Sequence, residues 1–292
     1  VRYLVIVSII WAFSFPLIGH YLVGRSVAHP VDSYFIIVVR FGLALLVFAP
    51  FMRWRGVDMK LKCSLIAIGA VQIGIMYVCY YQSFKYLRIH EVALFTIFTP
   101  FYVSVFYDLC MRNMRWRYLP SIALAVLGAY IIKMGDVSDD FLVGFLWIQG
   151  ANACFGIGQS AYKYVMQSYG HLKQEHIFGY FYVGALCVGI VSFVIFGNAQ
   201  NLPRELYQWL ILIYLGVIAS GLGYFLWNRG ACAVDSGVLA IMNNVLIPLA
   251  IVANYLVWGE KIEHFGQFCA GSSLILISLW WHYKIIARQG RK

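Results

Sequence analysis

Apolar residues in this chain run continuously; they neither alternate nor keep to one helical stripe. Ten stretches, roughly 3–22, 32–52, 62–85, 90–111, 117–134, 141–163, 175–196, 205–228, 236–257 and 264–286, are apolar almost throughout. A run of about 20 such residues is what a helix needs to cross the hydrocarbon core of a bilayer. Charged or turn-forming clusters separate the runs, among them Arg53-Trp54-Arg55-Gly56, Gly135 to Asp140, and Asn198 to Pro203. No interval between them is long enough to fold as a soluble domain. The strands of a membrane barrel would alternate polar and apolar residues over about ten positions, which these runs do not do. The pattern therefore predicts an all-α membrane protein with ten transmembrane helices. The first run is too long for a secretory signal and lacks a small-residue cleavage site, so a retained helix is expected.

Composition narrows the reading. Of 292 residues, 62% are hydrophobic and 12% charged, against about 45–50% and about 25% in soluble domains. That excludes a soluble enzyme and a disordered binding protein. The 21 Phe, 21 Tyr and 9 Trp suit membrane interfaces and pockets for organic solutes. Lys and Arg total 22 against 12 acids, a formal charge of +10. In a soluble chain such an excess would suggest nucleic acid. Here the basic residues sit in short loops, so no nucleic-acid partner is expected and the charge reads as topogenic. With the N-terminus inside, 15 basic residues fall on the cytoplasmic side and 6 opposite, with Arg40 on neither. This bias puts both termini in the cytoplasm. The seven cysteines, Cys63, Cys79, Cys110, Cys154, Cys187, Cys232 and Cys269, form no C-x-x-C pair. They read as small packing residues rather than a disulfide framework or a zinc site.

The chain also repeats itself. Gly69-x4-Gly74-x2-Tyr77 in the third run recurs as Gly216-x4-Gly221-x2-Tyr224 in the eighth, 147 residues later. The same displacement carries Pro100 to within one residue of Pro248. This matches half the length of the 292-residue chain and predicts a duplication, with a first five-helix repeat over 1–138 and a second over 139–292. Five is odd, so the second copy is inverted in the membrane. Inverted repeats are the architecture of many secondary transporters, whose solute site lies near the midplane between halves.

Other chemistries find no support. The sequence has no phosphate loop, no H-E-x-x-H and no pattern for a cofactor or metal, so no enzymatic activity is expected. Gly156-x-Gly158 and Gly221-x-Gly223 lie mid-span and read as packing notches.

Polar residues at membrane depth are costly and so are functional suspects. Arg40 lies eight residues into the second run, about 12 Å from its outer end. Either it faces a cavity and pairs with a solute carboxylate, or it is bonded structurally to backbone carbonyls or to an acid such as Asp108 or Glu91. Gln72, Asn152, Asn243 and Asn244 can read an amide or urea, or can tie helices together. The Asn243-Asn244 pair precedes Pro248, which frees a backbone carbonyl one turn earlier. Trp11, Tyr77, Tyr224 and Trp227 can wall a ring system. Lys163 and Asp108 lie near cytoplasmic ends, where snorkelling is expected. His90 and Glu91, and Gly259-Glu260, read either as span boundaries or, for the first pair, as carriers of a coupling proton.

This pattern resembles the drug/metabolite transporter superfamily, with its EamA-type inverted repeats, and the segment from Pro248 to Gly259-Glu260 is similar to that superfamily's exit from the ninth helix. The first half departs from it, with Asp108 and a basic loop where Gly-Glu is expected. Within the superfamily the chain resembles the bacterial biotin transporters. The likeness rests on Trp11-Ala-Phe-Ser-Phe15, Val31-Asp-Ser-Tyr-Phe35, Arg40-x-Gly42-Leu-Ala44, Leu94-Phe-Thr96 and Thr99-Pro100. It continues through Gly197-Asn-Ala-Gln200, Ala219-Ser-Gly-x-Gly-Tyr-Phe225, Trp227-Asn228 and Ile241-Met-Asn-Asn244. The resemblance implies a multi-pass protein of the bacterial inner membrane that imports biotin or a similar carboxylate by alternating access.

On that basis Arg40 is expected to take the carboxylate. Gln72, Asn243 and Asn244 would meet the ureido group, and Tyr77, Tyr224 and Trp227 would pack the bicycle. Trp11 and Asn152 are further candidates. Moving an anion into an inside-negative cell costs about 2.3 kcal/mol per 100 mV. Uptake therefore needs either a co-transported proton or covalent trapping of free biotin inside. An exporter of amino acids, amines or other small metabolites is the alternative on the same fold, and a membrane scaffold or sensor is a third class.

Overall fold

The computed structural model describes residues 1–23, 27–83, 85–87, 92, 95–133, 141–259 and 264–289. All regular structure among these residues is helical. The segments, in chain order, are α1 (Arg2–Val23), α2 (Ser33–Phe51), α3 (Met59–Ser83), α4 (Thr99–Cys110), α5 (Leu119–Lys133), α6 (Phe141–Ser168), α7 (Phe178–Phe196), α8 (Leu206–Cys232), α9 (Ser236–Trp258) and α10 (Phe265–Gln289). Short 3-10 turns, Thr96–Phe98 and Trp116–Tyr118, lead into α4 and α5. Six of the helices, α1, α2, α3, α7, α8 and α9, are long and apolar enough to cross a membrane. The 28-residue α6 is less apolar because it carries Gln149, Asn152, Gln159 and Lys163; the last three are buried.

Acids cap several helices, which explains how a chain so poor in charge uses them. Asp32 accepts from the Phe35 N–H at the start of α2, Asp58 from Lys60 N–H at α3, and Asp235 from Gly237 N–H at α9. Each satisfies an otherwise orphaned donor and sits at the positive end of the helix dipole. Asp32 does more: Asn198 N–H donates to its carboxylate, and its own N–H donates to the Asn201 carbonyl. The loop before α2 is thereby pinned to the loop between α7 and α8. Gly259, at φ 66°, ends α9 in the left-handed conformation, which glycine adopts without steric cost.

Outward faces are greasy, with Val194, Leu206 and Leu256 all more than two-thirds exposed. Acyl chains, not water, are the medium that suits them.

The packing pairs come in partners five helices apart. Helix α3 lies against α7 and α6, while α8 lies against α2 and α1. In the same way α4 packs on α6 and α9 on α1, and α2/α7, α4/α9 and α5/α10 pair directly. The glycines of the sequence repeat sit at equivalent crossings. Gly69 abuts the Phe181 carbonyl of α7, and Gly216 abuts the Leu43 side chain of α2. Both α3 and α8 also widen into π-helix at matching places, Ala70–Ile75 and Tyr214–Leu222. Such π segments leave backbone carbonyls without their usual donors and occur often at functional sites.

Candidate functional site

The π segment of α8 is met by side chains that satisfy its freed carbonyls. Trp11 Nε1 donates to Ala219 O at 2.8 Å, and the Tyr182 hydroxyl donates to Ser220 O and Gly221 O at 2.8 and 2.6 Å. The Ser220 hydroxyl is left to face α2, where it accepts from Arg40 Nε at 3.0 Å.

Arg40 is 1% exposed. Its guanidinium lies over the Tyr77 ring, 4.6 Å from the centroid. Among the described residues no carboxylate pairs with it, and its Nη1 has no partner. Asp108, one of the acids considered from the sequence, is gripped instead by Arg115; Glu91 lies outside the described residues. The Tyr81 hydroxyl, one turn beyond Tyr77 on α3, is buried facing the same guanidinium, too loosely to close a hydrogen bond. An isolated buried cation costs several kcal/mol, and the Tyr77 face and one hydroxyl offset only part of that. Two unfilled donors buried together fit an anionic acceptor such as a carboxylate.

Toward the middle of the bundle the Tyr224 hydroxyl donates to the Tyr77 hydroxyl at 3.0 Å, so two positions of the repeat, 147 residues apart, touch each other. Below them Gln72 Nε2, in the π segment of α3, donates to Asn228 Oδ1 at 3.2 Å, and Asn228 Nδ2 donates to Tyr224 O at 3.1 Å. Gln72 Oε1 is buried with no donor. Gly158 of α6 makes room for this amide, since a Cβ there would stand 2.1 Å from that of Gln72. Beside the amides is a box of rings. Trp11 lies 5.0 Å from Tyr224 and 4.9 Å from Trp227, and Phe155 closes it 6.4 Å from Trp227. Trp227 Nε1 donates to Gln159 Oε1 at 3.0 Å, and Gln159 Nε2 reaches Asn243 Oδ1 at 3.4 Å.

The sequence candidates thus divide. Arg40, Tyr77 and Tyr224 form one cluster, Trp11, Tyr224 and Trp227 an adjoining ring wall, and Gln72 the polar floor between them. Asn243 reaches that wall through Gln159 while donating to Leu239 O. Asn152 and Asn244 lie apart, around the turn into α4, donating to Phe95 O at 2.8 Å and to Ile97 O at 3.3 Å. Tyr81, Ser220, Asn228, Gln159 and Phe155 were not among the candidates. Tyr81 follows Tyr77 by one helical turn and Ser220 sits inside the repeated motif, so spacing alone points to both. His90 and Glu260 lie outside the described residues. Lys163 does not snorkel: it is buried, and its Nζ donates to Ala231 O and Val234 O at 2.8 and 2.6 Å.

Comparison with known proteins places this arrangement. The model of the EamA-like transporter family matches residues 1–134 and 142–283. The chain is similar to a protein named "Biotin transporter" from Salmonella typhimurium, 45% identical over 285 residues, covering 97% of this chain and 93% of that one. A "Probable biotin transporter" from Pseudomonas aeruginosa is 44% identical over 292 residues, covering 100% and 98%. A crystal structure only 13% identical in sequence superposes with a TM-score of 0.76 over 100% of this chain and 97% of the other, a likeness of fold. Matched across both halves and aligned with its relatives nearly end to end, the chain belongs to the EamA-like transporter family, and its work is transport rather than enzymatic catalysis.

Proposed function

We propose that this protein is a secondary transporter of the bacterial inner membrane that imports biotin by alternating access. Ten transmembrane helices form two inverted five-helix repeats, residues 1–138 and 139–292, with both termini in the cytoplasm. Support comes from the family model's separate matches to the two halves, from packing pairs that recur five helices on, and from the 147-residue partners Tyr77 and Tyr224 that meet between the halves.

The observation that carries the substrate reading is the unpaired buried guanidinium of Arg40, read together with relatives named as biotin transporters. Biotin has a carboxylate at one end and a ureido ring at the other. Arg40 Nη1 and the Tyr81 hydroxyl offer donors for the first, and Gln72 Oε1 offers an acceptor for a ureido N–H. Gln72 and Tyr81 are nine residues apart on α3, about 13 Å along its axis, so the unfilled groups suit two ends of one elongated solute. Tyr77, Tyr224, Trp227 and Trp11 wall the space between. Arg40 is buried, and rocking of the halves would open it to each side in turn.

The test is growth of a biotin auxotroph lacking its own importer on trace biotin. The wild-type chain is expected to rescue it, and Arg40→Ala to abolish rescue while the protein remains in the membrane. Absence of rescue by the wild type, with protection against loading by toxic amines or amino acids, would favour an exporter instead. Full rescue by Arg40→Ala would remove Arg40 from the site.

A further inference from the structure

A second polar cluster lies at the basic end of the bundle, away from Arg40, where the end of α4, the start of α5, the start of α9 and the end of α10 converge. Its centre is His282 of α10, which is 0% exposed. Its ring stands edge-on to Tyr118 at 4.5 Å. On the other side it fills the place of a side chain at Gly237, whose Cβ would come within 2.0 Å of it. His282 Nε2 lies 3.2 Å from Asp235 Oδ1, and Nδ1 lies 2.7 Å from Ser121 Oγ. The Asp235 carboxylate also receives Gly237 N–H at 2.8 Å, the Tyr118 hydroxyl at 3.3 Å and Arg115 Nη1 at 3.4 Å. Arg115 holds Asp108 with Nε at 2.8 Å and also donates to the Ser236 hydroxyl at 2.6 Å. Lys163 of α6 faces the same Tyr107 ring as Arg115.

The serine decides what this site can hold. Its hydroxyl has two settings, because Ser121 Oγ is within reach of both the Tyr118 carbonyl, at 2.9 Å, and His282 Nδ1. With the ring neutral, Ser121 donates to Nδ1 and the Nε2–H donates to Asp235. With the ring protonated, the hydroxyl turns to the Tyr118 carbonyl and accepts from Nδ1–H, while Nε2–H still donates to Asp235. Both states are fully hydrogen-bonded, so a proton can come and go without orphaning a buried group.

We propose that His282 is a proton-binding site, and that the proton it holds fastens this end of the transporter shut. With the ring neutral, the facing charges balance: Asp108 and Asp235 against Arg115 and Lys163. Tyr107, Tyr118 and Tyr283 are the uncharged titratable groups nearby, and Lys284 on α10 turns away onto Trp280, 3.8 Å from its ring. Protonation places a cation directly against Asp235, and a charge-assisted hydrogen bond is roughly twice as strong as a neutral one. Asp235 then clamps Arg115 on one side and His282 on the other, tying the α4–α5 loop, α9 and α10 together. Loss of the proton loosens that clamp.

The test uses the full-length protein in nanodiscs with Cys232, half-buried at the end of α8, as its only cysteine. The rate of maleimide modification is followed from mildly acidic to mildly alkaline pH, relative to the same thiol in denatured protein. Accessibility is expected to rise several-fold with pH in the parent and to stay flat in His282→Gln, whose amide can serve Asp235 and Ser121 without titrating. Ser121→Ala keeps the imidazole but removes the acceptor for Nδ1–H of the charged form. Its step is expected to persist at a shifted pH, and this variant carries the test if His282→Gln fails to fold. The same pH dependence with and without the imidazole, or an unmoved step in Ser121→Ala, would overturn the proposal. No arm uses a substrate, so the outcome is independent of the Arg40 reading.

Discussion

Replacing Arg40 by methionine separates a binding role from a structural one. The change removes a charge of known surroundings: one hydrogen bond to Ser220 and one face-on contact with Tyr77. A hydrogen bond from a charged group contributes about 1.5–3 kcal/mol, and a desolvated cation–π contact up to about 2 kcal/mol. Against these stands a desolvation penalty of several kcal/mol for the ion, which no carboxylate among the described residues relieves. The terms nearly cancel, so Arg40→Met is expected to melt within a few degrees of the parent, or above it. Binding of a carboxylate solute behaves differently. Losing one charge-assisted contact of about 1.5–3 kcal/mol weakens it roughly 10- to 150-fold. The assay is thermal unfolding of detergent-solubilised protein in titrated biotin, which reports stability from the ligand-free midpoint and affinity from its displacement. A variant that unfolds far below the parent yet keeps its biotin-induced shift would show that Arg40 is a structural tie, and the reasoning would be refuted.

Other outcomes follow from the same geometry. Gly158→Ala drives a methyl into Gln72, so overpacking is expected to cost about 1–3 kcal/mol and lower the melting temperature. Trp227→Phe keeps most of the ring wall but orphans the buried Gln159 Oε1; a loss of about 1–3 kcal/mol on thermal unfolding is expected. At Asp235, burial pushes the carboxyl upward, but hydrogen bonds from His282 and the Gly237 N–H, with the Arg115 charge, outweigh it and hold the pKa below the ordinary value. The stabilisation this lends is full above the unfolded value of about 3.9 and is lost as pH falls through the lower folded value. In acid-unfolding scans Asp235→Asn is therefore expected to show a smaller loss of stability over that acidic window than the parent.

How much of this was legible in the sequence depends on what each feature is made of. Continuous apolar runs mark spans because hydrocarbon tolerates little else, and α6 and α8 begin within a residue of where their runs do. Arg40 stood out for the same reason, as a charge too deep to reach either surface. The π segments did not, because a change of backbone hydrogen-bond register leaves no compositional trace. Yet the one in α8 exposes the carbonyls that Trp11 and Tyr182 satisfy, and it presents Ser220 to Arg40. The mid-span amides were ambiguous in the sequence, since an amide can meet a solute or a carbonyl equally well. The turn into α4 supplies carbonyls that occupy Asn152 and Asn244, whereas Gln72 keeps its oxygen free. Lys163 was expected to snorkel because of its place near a helix end, but the end of α8 and the loop after it each offer it a carbonyl. Three of the seven cysteines, Cys63, Cys187 and Cys269, lie on exposed faces rather than in packed interfaces.

The claim that Arg40 receives a solute carboxylate is tested most directly by equilibrium binding of labelled biotin and of its neutral amide to the parent and to Arg40→Gln. The parent is expected to prefer the acid by roughly tenfold or more, and the variant to bind both alike. An undiminished preference for the acid in Arg40→Gln would contradict the account.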